Sequence, residues 1–284
     1  MKKVAVIGAT GMLGIPVTVE LLNAGFEVTA LVRDPEKATR ILPERASLVR
    51  ADVYDIDSLK TGLSGQDAVY LSLSIAPTEK KDDFHAESEG LQNILEAAHA
   101  NGIKRIGYLS AMVLDTTATD WWVLDIWRAA TSQIKSSGIP YTIFYPTNFM
   151  ETLAQRHVVG SLLALVGTSR FPNYWIAGRD YGAQVARSFK MMTAADREYF
   201  IQGPEAMTYD EAAHRFAKSA KKRFRVVKLP LALLRCIGTF SQAANFNANV
   251  METVHGYPEE FSAARTWTEL GKPATTIEEF AQRY

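Results

Sequence analysis

The chain has 284 residues, 47% of them hydrophobic, which suffices for one large α/β domain or for a core with a smaller appended region. Its 31 basic and 31 acidic side chains cancel, so no overall field would attract nucleic acid or an anionic membrane. We therefore expect a small-molecule ligand, with no nucleic-acid partner and no membrane association.

The cysteine content and the apolar runs indicate the cellular setting. Cys236 is the only cysteine, which excludes an internal disulfide and a multi-cysteine metal site, and its apolar neighbours predict a buried thiol. The longest later apolar runs, 158–166 and 229–234, fall short of the ~20 residues that span a bilayer. The first run, 4–7, stops at Gly8 and is too short for a signal-peptide core. We therefore expect a soluble, cytoplasmic protein.

Short β-rich runs alternate with helical patterns as far as about residue 149. This alternation is typical of βαβ units and predicts an α/β protein with a doubly wound parallel sheet of the Rossmann type. The predicted strands are 4–7, 28–32, 47–49, 68–73, 105–110 and 141–145. The predicted helices are 14–24, 56–63, 84–100 and 123–136. Asn101-Gly102 and Ser137-Gly138 are suited to left-handed caps at the ends of two of these helices.

The regular alternation ends after Pro146, where glycines and prolines recur. We expect loops and short helices there, packed over the carboxyl edge of the sheet, where ligands of such folds bind. A strand near 198–202 should return to the core. The predicted division is therefore a dinucleotide-binding core at 1–150 and a smaller, mostly helical region at 151–284.

One helix of the second region has a sequence signature at its start. Thr208 followed three residues later by Glu211 has the spacing of a capping box, so we expect a helix from there to about residue 220. The basic run 218–225 is interpreted as the solvated end of that helix rather than as a nucleic-acid site.

A glycine-rich turn of the form Gly-x-x-Gly-x-x-Gly follows the first predicted strand and opens a helix. Gly8 permits a tight turn, Gly11 lets the backbone approach phosphates, and Gly14 allows the helix to pack closely on the strand. The backbone N–H groups and the positive end of the helix would face a pyrophosphate. The alternative is a turn with only a structural role. The residues predicted to bind the dinucleotide here are Gly8, Thr10, Gly11, Met12, Leu13 and Gly14.

The end of the second predicted strand bears on the choice between NADP(H) and NAD(H). Proteins that bind NAD carry an acidic residue there, which bonds the adenosine ribose, whereas this strand ends with Arg33 followed by Asp34. A guanidinium can pair with a 2′-phosphate through a fork of donors, so Arg33 favours NADP(H). Asp34 either caps the next turn or reaches the ribose and weakens that preference.

Several segments resemble the atypical short-chain dehydrogenase/reductase family, in the branch that contains NmrA-like redox sensors, NADPH-dependent quinone reductases and triphenylmethane reductase. The resemblance covers about residues 1–150, and after that only 202–208 and 276–280 are suggestive. The segments that carry it in the first region are the glycine turn at 8–14, the strand-two ending at 31–38, the helix at 89–98, and 136–143 leading to 146–150.

The resemblance also implies where the rest of the cofactor would lie. Asp52 and the adjacent Val53 follow the third strand, where the family contacts adenine. The segments after strands four and five, 72–75 and 110–113, and the loop after strand six would line the nicotinamide end. For Ser110 a purely structural role at the strand end is an equal alternative. The residues implied at the nicotinamide end are Ser72, Leu73, Ser110, Pro146, Asn148 and Phe149.

The proton-donating pair of the common short-chain reductases is absent. Those enzymes use a tyrosine and a lysine four residues apart on one helix face. When the helix at 123–136 is aligned with that of the family by its C-terminal end, the tyrosine position falls on Val123 and the lysine position on Trp127. Arg128 projects in another direction, stays protonated, and is interpreted as a surface or cofactor-contacting charge. No catalytic residue is therefore assigned.

The histidines and tryptophans allow fewer conclusions. The histidine spacing suggests no metal site, and each histidine is interpreted as a surface or capping residue; these are His85, His99, His157, His214 and His255. The tryptophans at 121, 122 and 127 either stack on an aromatic acceptor or anchor their helix in the core.

Two main functions remain open. A quinone or a cationic conjugated dye accepts hydride without a protein proton donor, which favours an NADPH-dependent reductase of such electrophiles. Phe149, Met150 and Trp175 would then surround the acceptor. The alternative is a non-catalytic NADP(H) redox sensor that acts through a protein partner, as the NmrA-like relatives do. A third possibility is an interaction protein whose fold the cofactor stabilises. The oligomeric state is left open.

Overall fold

The computed structural model describes residues 1–116, 119–191 and 195–284. Strands and helices alternate through the first half of the chain. The strands are β1 (Lys3–Ile7), β2 (Glu27–Val32), β3 (Ser47–Arg50), β4 (Ala68–Leu71), β5 (Arg105–Leu109), β6 (Tyr141–Pro146), β7 (Asn148–Phe149), β8 (Val158–Val159), β9 (Leu162–Val166), β10 (Asn173–Ile176), β11 (Arg197–Ile201), β12 (Ala206–Met207) and β13 (Arg225–Leu229). The helices are α1 (Gly14–Asn23), α2 (Pro35–Ala38), α3 (Ile56–Leu63), α4 (Glu89–Ala100), α5 (Trp122–Ser136), α6 (Met150–Arg156), α7 (Gly178–Lys190), α8 (Tyr209–Ser219), α9 (Leu231–Gly238), α10 (Gln242–Gly256), α11 (Ala264–Leu270) and α12 (Ile277–Ala281), with a short 3-10 helix at Met112–Asp115.

Seven strands form one parallel sheet in the order β11-β6-β5-β4-β1-β2-β3. The chain therefore starts in the middle of the sheet, runs outward to β3, and then crosses back to β4 and continues to the opposite edge. The order reverses between β1 and β4, so the connections leave these two strands in opposite directions. This topology confirms the predicted Rossmann-type α/β fold.

The sheet is covered by helices on both faces, and β1 shows how the sequence dictates this. Val4 and Val6 pack with residues of α1 and α7 on one face, whereas Ala5 and Ile7 pack with residues of α3, α4 and α5 on the other. Successive strand side chains point to opposite faces. A strand that is apolar at every position therefore requires a layer of helices on each side.

The structure confirms the predicted helix ends at Gly102 and Gly138, whose φ angles are +62° and +74°. The start of α4 differs from the prediction, because residues 84–88 form a turn and the helix begins at Glu89. In that turn the backbone N–H of His85 donates to the Glu89 carboxylate at 3.0 Å. The backbone of Ser88, with φ −120° and ψ −94°, is not helical.

The region after β6 combines helices with two small three-stranded sheets, β12-β10-β7 and β13-β9-β8, which the sequence analysis did not predict. The strand expected near 198–202 is β11, which pairs in parallel with β6. Thr208 and Glu211 form the predicted capping box of α8, with the Glu211 backbone N–H donating to Thr208 Oγ1 at 3.2 Å and the Thr208 N–H to the Glu211 carboxylate at 2.8 Å.

The last part of the chain packs on α7. Arg187 donates to the carbonyl oxygen of Leu270 at 2.6 Å, and Gln184 donates to that of Gly271 at 2.8 Å. The Asp180 carboxylate accepts from the backbone N–H of Ala274 at 2.9 Å and of Thr275 at 2.8 Å. The second region is thereby held against the same helix that covers the sheet.

The prediction of a buried thiol at Cys236 is wrong. Cys236 is exposed, and none of the residues of its helix, α9, is buried. The apolar side chains of this helix are not enclosed by the described part of the chain, so apolar neighbours in sequence did not produce burial. In the described residues no helix is both long enough and apolar enough to cross a bilayer.

We expect Gly203→Ala to destabilise the fold. A Cβ at Gly203 would lie 1.6 Å from the carbonyl oxygen of Trp175, so the two backbone segments would have to separate. The expected loss is about 3 kcal/mol or more in the free energy of unfolding, measured by urea denaturation. Gly65→Ala is the control: it has open space and a φ of +69°, so only backbone strain of about 1–2 kcal/mol opposes it. Equal losses in the two variants would contradict the packing argument.

Candidate functional site

The candidate site lies where the order of the sheet reverses, at the carboxyl ends of β1 and β4. Ile7 and Leu71 are paired across these strands, and Gly8 and Ser72 follow them directly. The backbone N–H of Ser72 donates to the carbonyl oxygen of Ile7 at 3.0 Å. Ligands of doubly wound sheets bind in the crevice that opens at such a point.

The glycine turn has the geometry that its sequence predicts. Gly8 has a φ of +83°, and a Cβ there would lie 2.1 Å from the Ser72 carbonyl oxygen. A Cβ at Gly14 would lie 2.0 Å from the Gly8 carbonyl oxygen. Both glycines are therefore required by contact between backbone segments, at the turn and at the first residue of α1.

Gly11 differs from the other two glycines because its surface is open. Its N–H donates to the Gly8 carbonyl oxygen at 3.0 Å, it is exposed, and a Cβ there would meet only that oxygen, at 3.2 Å. Thr10 is also exposed, while Met12 and Leu13 are half-buried. An open glycine before the N-terminus of α1 leaves room for a phosphate to approach the backbone and the positive helix end. These residues fit a dinucleotide.

The two charged residues after β2 have separate roles. Asp34 caps α2, because its carboxylate accepts from the Lys37 backbone N–H at 3.0 Å. Of the two alternatives open for Asp34, capping is the one observed. Arg33 is exposed and forms no salt bridge within the part of the chain that the structure describes. Its guanidinium is available to an anion at this corner.

Asp52 and Val53 follow β3 and are half-buried. The Asp52 carboxylate accepts from the Tyr54 N–H at 3.2 Å, and the Val53 carbonyl oxygen accepts from the Asn93 side chain at 2.8 Å. Tyr54 is 62% exposed and stacks on Phe84 with the ring centroids 3.9 Å apart. This turn presents a carboxylate and an aromatic surface at the same sheet edge; the sequence analysis did not include the tyrosine.

Ser72, Leu73 and Ser110 follow the ends of β4 and β5 and are all half-buried. The Ser110 hydroxyl lies 3.1 Å from that of Thr131 on α5, and its N–H donates to the Phe144 carbonyl oxygen at 2.9 Å. Leu73 packs against the core cluster that contains β4 and α4. Ser110 therefore has a structural bond to α5, which leaves a second role open.

A cavity of about 160 Å³ opens beside the carboxyl ends of β5 and β6. An apolar cavity of about 150 Å³ holds a benzene molecule, so this one has room for a single aromatic ring. Most of its wall is apolar or aromatic. The lining residues are Ala111, Met112, Val113, Trp121, Trp127, Pro146, Thr147, Asn148, Asn173, Val250, Thr253, Val254, Tyr257 and Glu259.

Pro146 and Asn148, which the resemblance places beside the nicotinamide, line this cavity, and the expected acceptor residues do not. Phe149, Met150 and Trp175 are 6%, 1% and 0% exposed and are packed in the core. Phe149 contacts Tyr181 in the core of the main sheet, and the Trp175 indole donates to the Met207 carbonyl oxygen at 3.0 Å. The prediction that they surround the acceptor is wrong for this cavity, because β7, β10 and α6 turn them toward the interior.

Two tryptophans form the aromatic wall. Trp121 and Trp127 meet edge to face with their centroids 5.9 Å apart. Trp127 occupies the position of the missing lysine, and its indole N–H donates to Glu87 at 2.9 Å. Trp122 instead packs on the His85 ring, 5.1 Å away. Of the three tryptophans, two therefore face the cavity.

Glu87 is a buried carboxyl that the sequence analysis missed. It is 3% exposed and also accepts from the Tyr108 hydroxyl at 3.3 Å. Burial raises the pKa of Glu87 to about 7, although the donors Trp127 and Tyr108 lower it. It lies behind Trp127 and fixes the indole. No spacing in the sequence marks a lone carboxyl before a helix, so no signal was available to find it.

Glu259 is a second carboxyl that was missed, and it lies in the cavity wall. Its carboxylate accepts from the Thr147 hydroxyl at 2.6 Å, the Gln202 side chain at 2.6 Å and the Tyr174 N–H at 3.2 Å. Burial raises the pKa of Glu259, and these donors act in the opposite direction. Gln202 belongs to the segment 202–208, which resembles the family in sequence, but nothing in the sequence indicated that Gln202 bonds Glu259.

Three of the five histidines are not surface residues. His85, His157 and His255 are 2%, 7% and 7% exposed, so a surface position is wrong for them. His157 takes the other expected role, because it is the C-cap residue of α6. His85 is buried because its ring lies between Trp122 and the Glu79 carboxylate, 2.7 Å away. In the described ranges no group of three or more potential ligands is placed to hold a metal ion.

Arg128 is exposed and braces the segment before α5. It pairs with Asp125 at 2.9 Å and donates to the carbonyl oxygens of Leu114 at 2.7 Å and Thr116 at 3.3 Å. These bonds fix the 3-10 helix that carries Met112 to the cavity. The interpretation of Arg128 as a surface charge agrees with this position.

With this geometry established, comparison with known proteins identifies relatives over the full chain. A model of an NAD(P)H-binding family matches residues 8–172. Quinone oxidoreductase 2 of Escherichia coli is 25% identical over 289 residues, which cover 97% of this chain and 96% of that protein. The photosystem II assembly factor Ycf39 of Synechocystis is 22% identical, with 99% and 90% covered.

Solved structures agree with these sequence relatives. The Escherichia coli NADPH-dependent quinone oxidoreductase complexed with NADPH superposes with a TM-score of 0.74 at 22% identity, covering 99% of each chain. The Citrobacter sp. triphenylmethane reductase complexed with NADP(H) gives 0.76 at 17% identity, also covering 99% of each. These likenesses establish a common fold. With the family match they confirm the resemblance to the NmrA-like branch of the atypical short-chain dehydrogenase/reductases.

The raised pKa of Glu87 predicts a pH dependence of stability. Below its ordinary pKa of 4.5 the carboxyl is protonated in both states, between 4.5 and about 7 only the folded state keeps the proton, and above about 7 neither state does. The free energy of unfolding of the wild type therefore falls by on the order of 3 kcal/mol across the interval between these two pKa values, compared with that of Glu87→Gln. Urea unfolding at pH 5 and pH 8 measures the difference. Glu96→Gln, at an exposed carboxyl of α4, is the control and should show no such dependence.

Proposed function

This chain belongs to the NAD(P)H-binding family, and from that premise we propose that it is an NADPH-dependent reductase of quinone-like or other conjugated electrophiles. The observation that carries the proposal is the placement of the glycine turn and the aromatic cavity on one sheet edge. Both lie at carboxyl ends of parallel strands. One end of a bound dinucleotide would be held at the turn and the other would face the cavity.

The residues proposed to hold the dinucleotide form three groups along this edge, with Arg33 after β2 added for the 2′-phosphate. The glycine turn and the start of α1 take the pyrophosphate, Asp52 and Val53 take the adenine, and the segments after β4, β5 and β6 take the nicotinamide end. When bound, the dinucleotide supplies the hydride. The chain itself orients the acceptor and excludes water from it. The full proposed set is Gly8, Thr10, Gly11, Met12, Leu13, Gly14, Arg33, Asp52, Val53, Ser72, Leu73, Ser110, Pro146, Asn148 and Phe149.

We propose a conjugated acceptor because of the cavity walls. The space admits one ring, and the indoles of Trp121 and Trp127 with the phenol of Tyr257 offer flat surfaces to it. The tyrosine–lysine pair that protonates the strongly basic alkoxide of a simple ketone in the common short-chain reductases is absent at Val123 and Trp127, so we propose an acceptor whose reduced form is less basic than an alkoxide. The names of the relatives, a quinone oxidoreductase and a triphenylmethane reductase, agree with this class of acceptor.

Turnover tests the proposal. The purified protein, incubated with NADPH and a panel of quinones and cationic dyes, should consume NADPH, followed by its absorbance. Gly11→Val should abolish dinucleotide binding and turnover together, because its side chain would occupy the open face of the turn. Ala100→Val, at the exposed last residue of α4, is the control and should retain both. A protein that binds NADPH but never oxidises it with any acceptor is not this reductase.

We propose that NADPH is preferred over NADH because of Arg33. Arg33→Asp should weaken NADPH binding by about ten- to hundredfold, the value of a lost charge-assisted pair, and should improve NADH binding. Dinucleotide affinity is measured by fluorescence titration. Arg223→Asp, which makes the same charge change at an exposed position after α8, should leave both affinities unaltered. An unchanged NADPH affinity in Arg33→Asp would refute the phosphate contact.

A redox sensor that acts through a protein partner is the second candidate, and α9 favours it. This helix has no buried residue and leaves Leu233 and Ile237 47% and 48% exposed, with Phe240 after it 94% exposed. Exposed apolar groups of this kind suit a protein interface. The turnover panel distinguishes the two functions, since a sensor binds NADPH without consuming it.

A further inference from the structure

A quinone needs a proton as well as a hydride to become a hydroquinone, and the usual donor pair is missing from α5. If the proposed reductase function holds, the proton comes either from water or from another group in the cavity wall. Among the described lining residues, Glu259 is the only carboxyl and none is basic. This inference rests on the proposed function and concerns how its reaction is completed.

The contacts of Glu259 connect it to the loop proposed to lie beside the nicotinamide. Its Oε2 atom accepts from the Thr147 hydroxyl at 2.6 Å, and Thr147 stands between Pro146 and Asn148 in the cavity wall. Its Oε1 atom accepts from Gln202, 2.6 Å away. The carboxyl is therefore fixed on one side by Gln202, the residue after β11, and linked on the other side to the hydroxyl of Thr147, a residue of the cavity wall.

Burial favours the protonated form of Glu259. It raises the pKa of this carboxyl, while the donors Thr147, Gln202, Asn173 and the backbone N–H of Tyr174 lower it. Tyr209 on α8 and Tyr257 after α10 lie within electrostatic range of its carboxylate. The other charged groups that act on Tyr257, Asp115 and Glu260, are also acidic. Burial is therefore the cause that favours the protonated carboxyl.

We propose that Glu259 is the proton donor of the reductase and that it acts through the Thr147 hydroxyl. With Glu259 protonated on Oε2, that atom donates to Thr147 Oγ1, and the Thr147 hydrogen turns toward the acceptor. Once hydride has reached the quinone, its anionic oxygen takes the Thr147 proton and Thr147 takes the proton of Glu259. The O–H bond of the carboxyl breaks and an O–H bond of the hydroquinone forms.

The donors around Glu259 suit it to this cycle. The carboxylate left behind is held by Gln202 and by the backbone N–H of Tyr174, so it is formed in place without rearrangement. Solvent returns the proton before the next turnover. Glu87 is not an alternative donor, because it lies behind Trp127 and does not line the cavity. Tyr257 is a weaker acid than usual, since burial and Glu259 raise its pKa.

The test compares two acceptors that differ in their need for a proton. A quinone requires one, whereas a cationic triarylmethane dye becomes neutral on accepting hydride alone. In Glu259→Gln, kcat for the quinone should fall about tenfold or more, while kcat for the dye stays within a factor of about two of the wild type. Thr147→Val should behave in the same way, and Thr147→Ser, which keeps the hydroxyl, should restore quinone reduction.

The pH profile and a direct titration give independent readouts. Wild-type kcat for the quinone should fall as the pH rises through the Glu259 pKa, and the profile of Glu259→Gln should be flat. Without dinucleotide, the infrared difference between wild type and Glu259→Gln should show a protonated carboxyl that titrates above the ordinary glutamate range. Glu44→Gln, at an exposed carboxyl between α2 and β3, is the control and should leave the quinone rate and the pH profile unaltered.

The outcomes separate this inference from the function on which it rests. A wild type that reduces neither acceptor contradicts the reductase proposal, and the role of Glu259 with it. A wild type that reduces both, with Glu259→Gln reducing the quinone equally fast, contradicts only the proton donor. Equal losses for quinone and dye, or a carboxyl ionised throughout the titration, assign Glu259 a structural role instead.

Discussion

The contact between backbone segments at the centre of the sheet is the constraint on which the rest of the molecule depends. Gly8 meets the carbonyl group of Ser72, and Gly14 meets that of Gly8, with no room for a Cβ at either position. This contact sets α1 directly on the ends of β1 and β4. The N-terminus of the helix is thereby aimed at the crevice where the strand order reverses. An anion that binds there needs no charged side chain from the turn itself.

The parts of the fold that are determined locally could be predicted from the sequence. The alternating apolar runs gave the positions of the six strands of the first region, and Thr208 with Glu211 gave the capping of α8, because each signal lies within a few residues. The start of α4 was placed too early, since the bonds of residues 84–88 compete with helical ones. Cys236 was expected to be buried because its neighbours in sequence are apolar. That expectation failed because local hydrophobicity does not reveal whether a helix is covered by other elements.

The acceptor side of the site could not be predicted in this way. Its wall combines residues near 112, 121–127, 147, 173 and 250–259, and each segment contributes one or two side chains without characteristic spacing. Phe149, Met150 and Trp175 were expected at the acceptor as apolar residues, but strand direction turns them inward. Glu87 and Glu259 are single carboxyls whose environment arises only from tertiary packing.

The separation of the two halves of the site along the chain has a consequence for synthesis. The glycine turn and its partners in β1 and β4 lie within residues 3–72, whereas the cavity needs Val250, Tyr257 and Glu259 from far along the chain. Chains emerge from the ribosome N-terminus first. The phosphate-binding turn is therefore synthesised well before the side chains that enclose the acceptor chamber, so the chamber is the later of the two to form.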